Sequence, residues 1–88
     1  MIWESRYYYV LQNKTTNKLY VGQTKQDIKT YLGSGAYWNN HCKKYGGKTR
    51  ENIEIVWSYW FESESEARYW LDCFEVENPS YYSSENKI

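Results

Sequence analysis

Aromatic and aliphatic residues that favour β-strands are concentrated in two short runs near the start of the chain. The first run covers residues 7–12 and the second covers residues 18–23, and each contains a tyrosine-bearing triplet. Side chains of these types fit the pleated surface of a sheet. The stretch between the runs is polar and rich in Asn and Thr, which predicts a turn. The pattern therefore predicts a β-hairpin with tyrosines on neighbouring strands.

A helical pattern follows over residues 36–45. Ser34 stands just before it as the predicted N-cap, and Gly46-Gly47 just after it suits a left-handed end. One side of this helix is predicted to carry the aromatic residues, the histidine and a cysteine. These residues are Tyr37, Trp38, His41, Cys42 and Tyr45.

The last two elements are a strand over residues 53–61 and a helix that starts at Ser63. Ser63 and Glu66 have the spacing of a capping box, and Asn78-Pro79 ends the helix. In the strand, alternation predicts one face with Ile53, Ile55, Trp57 and Tyr59 and the other with Glu54, Val56, Ser58 and Trp60. The core stripe of the helix is predicted to be Ala67, Trp70, Leu71 and Phe74.

The predicted element order is β-β-α-β-α, which is an α/β fold. We expect a small, mainly antiparallel, three-stranded sheet flanked by two helices. With 88 residues, the chain has room for one hydrophobic core. We therefore expect a single domain over residues 1–79, followed by a polar and loosely held tail over residues 80–88.

Composition restricts the compartment and the partners. No apolar stretch approaches the length of a membrane span, and residues 1–5 do not resemble a signal peptide, so we expect no membrane partner. Cys42 and Cys73 are far apart and follow no metal-binding spacing. Two thiols in a chain without a secretion signal predict reduced cysteines and a cytoplasmic location.

The net charge of zero hides a strong asymmetry. Residues 1–50 hold nine basic residues and two acids, a net charge of +7, whereas residues 51–88 hold two basic residues and nine acids, a net charge of −7. A division of this kind favours one basic and one acidic face over a random scatter of solvated charges. A basic face is the usual footprint of a nucleic-acid partner.

The two triplets and the segments around them resemble the GIY-YIG nuclease family. Tyr7-Tyr8-Tyr9 stands in the place of the first motif and Tyr20-Val21-Gly22 in the place of the second. The resemblance extends to a branch of homing and stand-alone endonucleases that phages and mobile elements carry. The segment Asn13-Lys14-Thr15-Thr16-Asn17-Lys18 resembles the turn of the family as a whole. The likeness to the branch rests on Tyr31-Leu32-Gly33-Ser34-Gly35, Trp38, His41 and Lys44-Tyr45-Gly46. The likeness covers about residues 7–77 and implies a DNA endonuclease with one divalent metal ion.

The resemblance implies that Tyr9 and Tyr20 are the catalytic tyrosines. A phenol has an ordinary pKa near 10 and becomes a useful base only where cations or a metal stabilise the phenolate. Gly22 matches the glycine of the second motif and lets the backbone approach a ligand or a neighbour closely. Gly33, Ser34 and Gly35 complete the structural motif.

The arginine that the family carries on its first helix has no counterpart here, because no arginine lies between Arg6 and Arg50. Lys29 is the nearest basic candidate for that role, although lysine lacks the bidentate fork of arginine. His41 is a further catalytic candidate, for phosphate binding or proton transfer. Nucleic-acid contacts are expected from Lys25, Lys43, Lys44, Lys48 and Arg50.

The resemblance also implies a glutamate on a later helix that binds Mg²⁺ or Mn²⁺, one ion per site. Hard cations prefer oxygen ligands. Glu75 borders the core stripe of the last helix and is the first choice, with Asp72 and Glu77 as alternatives. Asp72 lies nearest to the family glutamate by simple register but is expected to face solvent.

Two other functions fit the same sequence. One is a nucleic-acid-binding module of this fold whose active site is lost, which the missing arginine favours. The other is a protein-interaction domain whose contact face is the acidic half. For the nuclease, 88 residues leave no room for a separate specificity domain. Specificity is then low, or it comes from a homodimer, a partner or a longer parent chain.

Overall fold

Four strands and two helices form the fold in a computed structural model that describes residues 2–25 and 32–83. None of the described helices is long and apolar enough to cross a membrane. The elements in chain order are β1 Arg6–Asn13, β2 Leu19–Thr24, α1 Ala36–Lys44, β3 Ile53–Phe61, α2 Glu64–Glu77 and β4 Tyr82–Ser83.

The sheet is mixed and has the strand order β3-β1-β2-β4. β1 is antiparallel to β2, which is the predicted hairpin, and it is also antiparallel to β3. The fourth strand is a correction to the predicted three-stranded antiparallel sheet, because β4 pairs in parallel with β2. Its neighbour Tyr81 is buried against Val10 and Val21, and Tyr82 packs against Trp38. Two aromatic side chains thus hold the start of the predicted tail in the sheet.

The two helices cover opposite faces of the sheet. Each strand contributes to both faces, because its side chains alternate between them. On the α1 face, Trp38 and Cys42 are fully buried against Tyr9, Leu11, Tyr20 and Ile53. On the α2 face, the predicted stripe of Ala67, Trp70, Leu71 and Phe74 packs against Tyr8, Val10, Val21 and Phe61. The stacked pair of Trp57 and Trp70, with ring centroids 4.3 Å apart, lies on that same face.

A β-bulge in β3 changes the faces that simple alternation predicts. Val10 pairs with Trp57, whereas the next residue, Leu11, pairs with Ile55, so Val56 is the extra residue. Because of this insertion, Ile53 packs on the α1 face while Trp57 packs on the α2 face. The prediction that one face carries both residues is therefore wrong.

The N-cap that the sequence predicts is confirmed for α2 and is wrong for α1. The side chain of Ser63 caps α2 by accepting a hydrogen bond from the backbone N–H of Glu66. The N-cap of α1 is Gly35, with φ of 95°, and not Ser34. The hydroxyl of Ser34 is instead 3.2 Å from the phenol oxygen of Tyr20. Ser34 therefore does not cap α1 and instead contacts Tyr20 of the sheet.

Candidate functional site

Tyr9 and Gly22 are direct partners on neighbouring strands, and the tyrosine ring lies across the glycine. A Cβ atom built on Gly22 would overlap the phenol end of Tyr9 and lie 2.7 Å from its Cε2 atom. Real Cβ atoms do not approach other atoms so closely, and therefore any larger residue here must push the ring away. The first triplet supplies the ring and the second supplies the space for it.

Tyr20 is the second member of a tyrosine pair on the α1 face. Its ring centroid lies 6.2 Å from that of Tyr9 and 5.2 Å from that of Trp38. The phenol oxygen is 3.2 Å from the hydroxyl of Ser34, in the loop before α1. Tyr9 and Tyr20 both have an exposed fraction of 0%. The pair is therefore closed to solvent in this structure.

The loop over residues 32–35 is fixed from two sides. The indole N–H of Trp38 donates to the carbonyl of Leu32 over 2.8 Å, and Gly33 has φ of 91° directly against that indole. Lys48 donates to the carbonyl of Gly33 over 2.9 Å and to the side chain of Asn39 over 2.8 Å. Lys48, a predicted nucleic-acid ligand, thus anchors the loop that positions Ser34.

His41 connects α1 to the hairpin turn and to β4. Its Nε2 atom is 2.8 Å from the hydroxyl of Thr16, and its Nδ1 atom is 3.3 Å from the phenol oxygen of Tyr82. Partial burial lowers the pKa of His41 below its usual value, and the charge of Lys18 lowers it further. The imidazole is therefore neutral near pH 7. Trp38 contacts both His41 and Tyr20 and links the two.

The three candidate metal ligands lie on α2, across the sheet from the tyrosine pair. The carboxylate of Glu75 accepts a hydrogen bond of 2.5 Å from Tyr81, which belongs to the α2-side core. Asp72 and Glu77 are exposed on the same helix. Within residues 2–25 and 32–83, no three His, Cys, Asp or Glu side chains form a group that would hold a metal. The three α2 acids therefore do not fit a metal ion held beside Tyr9 and Tyr20.

The remaining predicted ligands are dispersed. Lys29 lies outside the described residues, as does Tyr31. Lys25 forms an ion pair with Glu4 at the far end of the hairpin from the turn. Lys43 and Lys44 are exposed in the last turn of α1.

The hairpin turn and the loop after α1 are joined into one end of the molecule. The backbone N–H of Lys14 donates to the carbonyl of Asn52 over 2.8 Å, and the hydroxyl of Thr15 donates to the side chain of Asn52 over 2.8 Å. The side chain of Asn13 donates to the carbonyl of Tyr45 over 3.0 Å. Gly46, with φ of 87°, fits between Thr15 and Asn52, where a Cβ atom would have no space.

This joined end is strongly basic. We call it the basic end and define it by Lys14, Lys18, Lys43, Lys44, Lys48 and Arg50, with Glu51 as the one acid in the same segments, residues 13–18 and 43–52. Lys14 and Lys18 were not predicted as ligands, although their positions on either side of the turn are visible in the sequence. The acids of α2 lie on the other side of the sheet, so the charge asymmetry along the chain becomes an asymmetry in space.

The comparisons with known proteins give one result. A family model described as the GIY-YIG catalytic domain matches residues 5–82, which is most of the chain. The match extends to Tyr82 in β4, a strand that is absent from the predicted element order. No curated protein and no solved structure matches this chain.

Proposed function

The chain belongs to the GIY-YIG family, whose catalytic domains are typically nucleases, and from that premise we propose that it is a divalent-metal-dependent DNA endonuclease. The reaction is hydrolysis of a phosphodiester bond in the DNA backbone. The loop with Gly33-Ser34-Gly35 and the segment Lys44-Tyr45-Gly46 support a place in the branch that phages and mobile elements carry.

The observation that carries the proposal is the tyrosine pair. Tyr9 and Tyr20 stand on neighbouring strands with ring centroids 6.2 Å apart, and Gly22 gives Tyr9 its position. A phosphodiester resists attack because it is negatively charged, so its hydrolysis needs a base for water and positive charge near the transition state. In the proposal, the phenolate of Tyr9 or Tyr20 accepts the proton of the attacking water and becomes a phenol, and nearby positive charge stabilises the phenolate beforehand.

Access to the pair requires movement. Both phenols are fully buried, and a phosphate group does not reach a buried hydroxyl. Ser34 contacts the Tyr20 phenol and belongs to the loop over residues 32–35, which Trp38 and Lys48 hold in place. We infer that this loop opens when DNA binds, and that Lys48 then exchanges a backbone carbonyl for a phosphate.

Metal dependence is part of the proposal because nucleases of this family generally need a divalent ion. Mg²⁺ keeps several waters and binds through one or two carboxylates together with substrate phosphates, so it does not need a preformed protein cage. When bound, the ion supplies positive charge to the reacting phosphate. Glu75 lies on the α2 side, so we assign no described acid to the ion.

A second candidate function, a DNA-binding module without cleavage, has specific support. The tyrosine pair is closed, the α2 acids lie across the sheet from it, and the family arginine has no counterpart between Arg6 and Arg50. The basic end is exposed and suited to phosphate contacts whether or not the chain cleaves.

A plasmid assay separates the two functions. Supercoiled DNA is incubated with the protein in Mg²⁺, in Mn²⁺ and in EDTA, and binding is measured in parallel at low salt. The endonuclease proposal predicts nicked or linear product with a divalent ion and none in EDTA. Binding without product under either ion would favour the module, and product in EDTA would contradict metal dependence.

A further inference from the structure

A groove lies on the α1 face beside the tyrosine pair, between β3 and the loop over residues 32–35. Its volume is about 270 Å³. Its apolar lining consists of Leu11, Leu32, Ile53 and Ile55. Leu11 and Ile53 belong to the same core cluster as Tyr9 and Tyr20, and Leu11 is the cross-strand partner of Tyr20. The groove and the tyrosine pair are therefore neighbours along one face of the sheet.

Charged residues complete the groove. Lys14 and Arg50 line it from the basic end, and Glu54 lines it from β3. Among the described residues, neither Lys14 nor Arg50 forms an ion pair, because the ion pairs there join Lys25 to Glu4 and Arg68 to Glu64. Two unpaired cations beside an apolar surface suit a ligand with an anionic part and an apolar part. Glu54 repels an anion, which restricts the anionic part to the Lys14 and Arg50 side.

We propose that this groove binds one nucleotide of single-stranded DNA, with its phosphate at Lys14 and Arg50 and its base on the apolar lining. This inference rests on the proposed function, because the GIY-YIG family supplies the nucleic-acid partner. The planar guanidinium of Arg50 suits a phosphate, which it binds through two parallel hydrogen bonds.

The size and the lining of the groove favour a single strand over a duplex. A volume of about 270 Å³ lies just below the range of about 300–1,000 Å³ that holds drug-sized ligands, so a unit the size of a nucleotide suits it. A base reaches an apolar surface only when it is unpaired and unstacked. A strand held in the groove continues past Leu11 towards Tyr9 and Tyr20, and the groove thus brings a neighbouring phosphate to the proposed site.

Two matched pairs of variants test the inference. Arg50→Gln removes a cation from the groove, whereas Arg68→Gln removes the same charge from the exposed surface of α2. Ile55→Thr changes the apolar lining, whereas Val56→Thr makes the same kind of change at the neighbouring bulge residue. The exposed fractions of the two side chains are similar, at 39% for Ile55 and 44% for Val56. All four positions are exposed, and a thermal melt of each variant checks that it folds.

Binding is measured by fluorescence anisotropy in EDTA, with a short labelled oligodeoxythymidylate and with an abasic strand that has the same number of phosphates. We expect Arg50→Gln to weaken binding of both strands about tenfold and to reduce the slope of log K against log salt by about 0.7, the value for one phosphate on a single strand. We expect Ile55→Thr to weaken binding of the oligodeoxythymidylate about threefold and to leave the abasic strand unchanged. Arg68→Gln and Val56→Thr change neither.

The inference is overturned if Arg50→Gln and Arg68→Gln weaken binding equally, because net charge then explains the effect. It is also overturned if Ile55→Thr acts equally on both strands, or if a duplex binds as tightly as the single strand. Failure of the proposed cleavage is a separate result, since it is measured in the plasmid assay and leaves these affinities unaffected.

Discussion

The ring of Tyr9 occupies the space that a side chain on Gly22 would need, and the two residues are direct partners on β1 and β2. This relationship gives a physical reason for a tyrosine in one triplet and a glycine in the other. The tyrosine ring lies flat against the sheet only because the opposite residue has no Cβ atom. The two triplets therefore form one structural unit.

Gly22→Ala is expected to destabilise the fold by about 1–3 kcal/mol, the usual range for overpacking a core. The added methyl group must displace the Tyr9 ring, which is fully buried. The measurement is the free energy of unfolding in urea. In a Tyr9→Ala background the same substitution should cost much less, because the clashing ring is absent. An equal cost in both backgrounds would show that the ring is not the cause.

Asn52→Ala is expected to destabilise the fold by about 1–3 kcal/mol, since Asn52 is buried and its removal takes the side-chain donor from the carbonyl of Gly47 and leaves the carbonyl of Tyr45 with Asn13 alone. Its side chain donates to the carbonyls of Tyr45 and Gly47 and accepts from Thr15. The midpoint of thermal unfolding measures the effect. Asn40→Ala, at an exposed position of α1, is the control and should change the midpoint little. Equal shifts for the two variants would contradict this role of Asn52.

His41 is expected to make stability depend on pH below about 6.5, its ordinary pKa. The fold lowers the pKa of His41, mainly through burial and also through Lys18, so the unfolded chain binds the proton more readily. Stability should then decrease as the pH falls from about 6.5 towards the lowered pKa of the folded state, and level off below it. Urea midpoints at a series of pH values measure this, and His41→Gln should remove the dependence. A wild-type midpoint that is constant over this range would contradict the account.

The two cysteines are expected to react at very different rates with a thiol reagent. Cys73 is exposed on α2, whereas Cys42 is fully buried and burial raises the pKa of its thiol. Since the thiolate is the reactive form, one thiol per chain should be labelled in the folded protein and two in urea. In Cys73→Ser, labelling of the folded protein should be nearly absent. Rapid labelling of that variant would show that α1 opens readily from the sheet.

The sequence predicts the elements whose signals are local. The bounds of β3, the Ser63 cap of α2 and the α2 stripe are local patterns, and the structure has all of them. The extra residue Val56 in β3 escapes prediction because a bulge is visible only against the partner strand. β4 escapes it because two residues are too few for a periodic pattern, and their place in the sheet depends on where Tyr81 and Tyr82 pack.

In the candidate site, too, local features could be predicted from the sequence and tertiary placement could not. Tyr9 and Tyr20 are predicted as a pair because a hairpin places its strands side by side, and the structure brings them together. The facing of Glu75 on its own helix is also readable from the sequence. Which face of the sheet that helix covers is a tertiary property, and α2 covers the face opposite the tyrosine pair. Lys48 is predicted to bind DNA because of its charge. Its hydrogen bond to the carbonyl of Gly33 could not be predicted, because that bond depends on the path of the loop over residues 32–35.

The rate of plasmid nicking by tyrosine variants shows whether the Tyr9 and Tyr20 pair performs the hydrolysis. The assay compares the wild type with Tyr9→Phe, Tyr20→Phe and Tyr59→Phe, the last at an exposed position of β3. Loss of a general base typically lowers the rate by a factor of about 10²–10⁴. We expect a loss of this size for at least one of the paired tyrosines, with DNA binding retained, and no loss for Tyr59→Phe. Wild-type rates in both Tyr9→Phe and Tyr20→Phe would contradict this expectation.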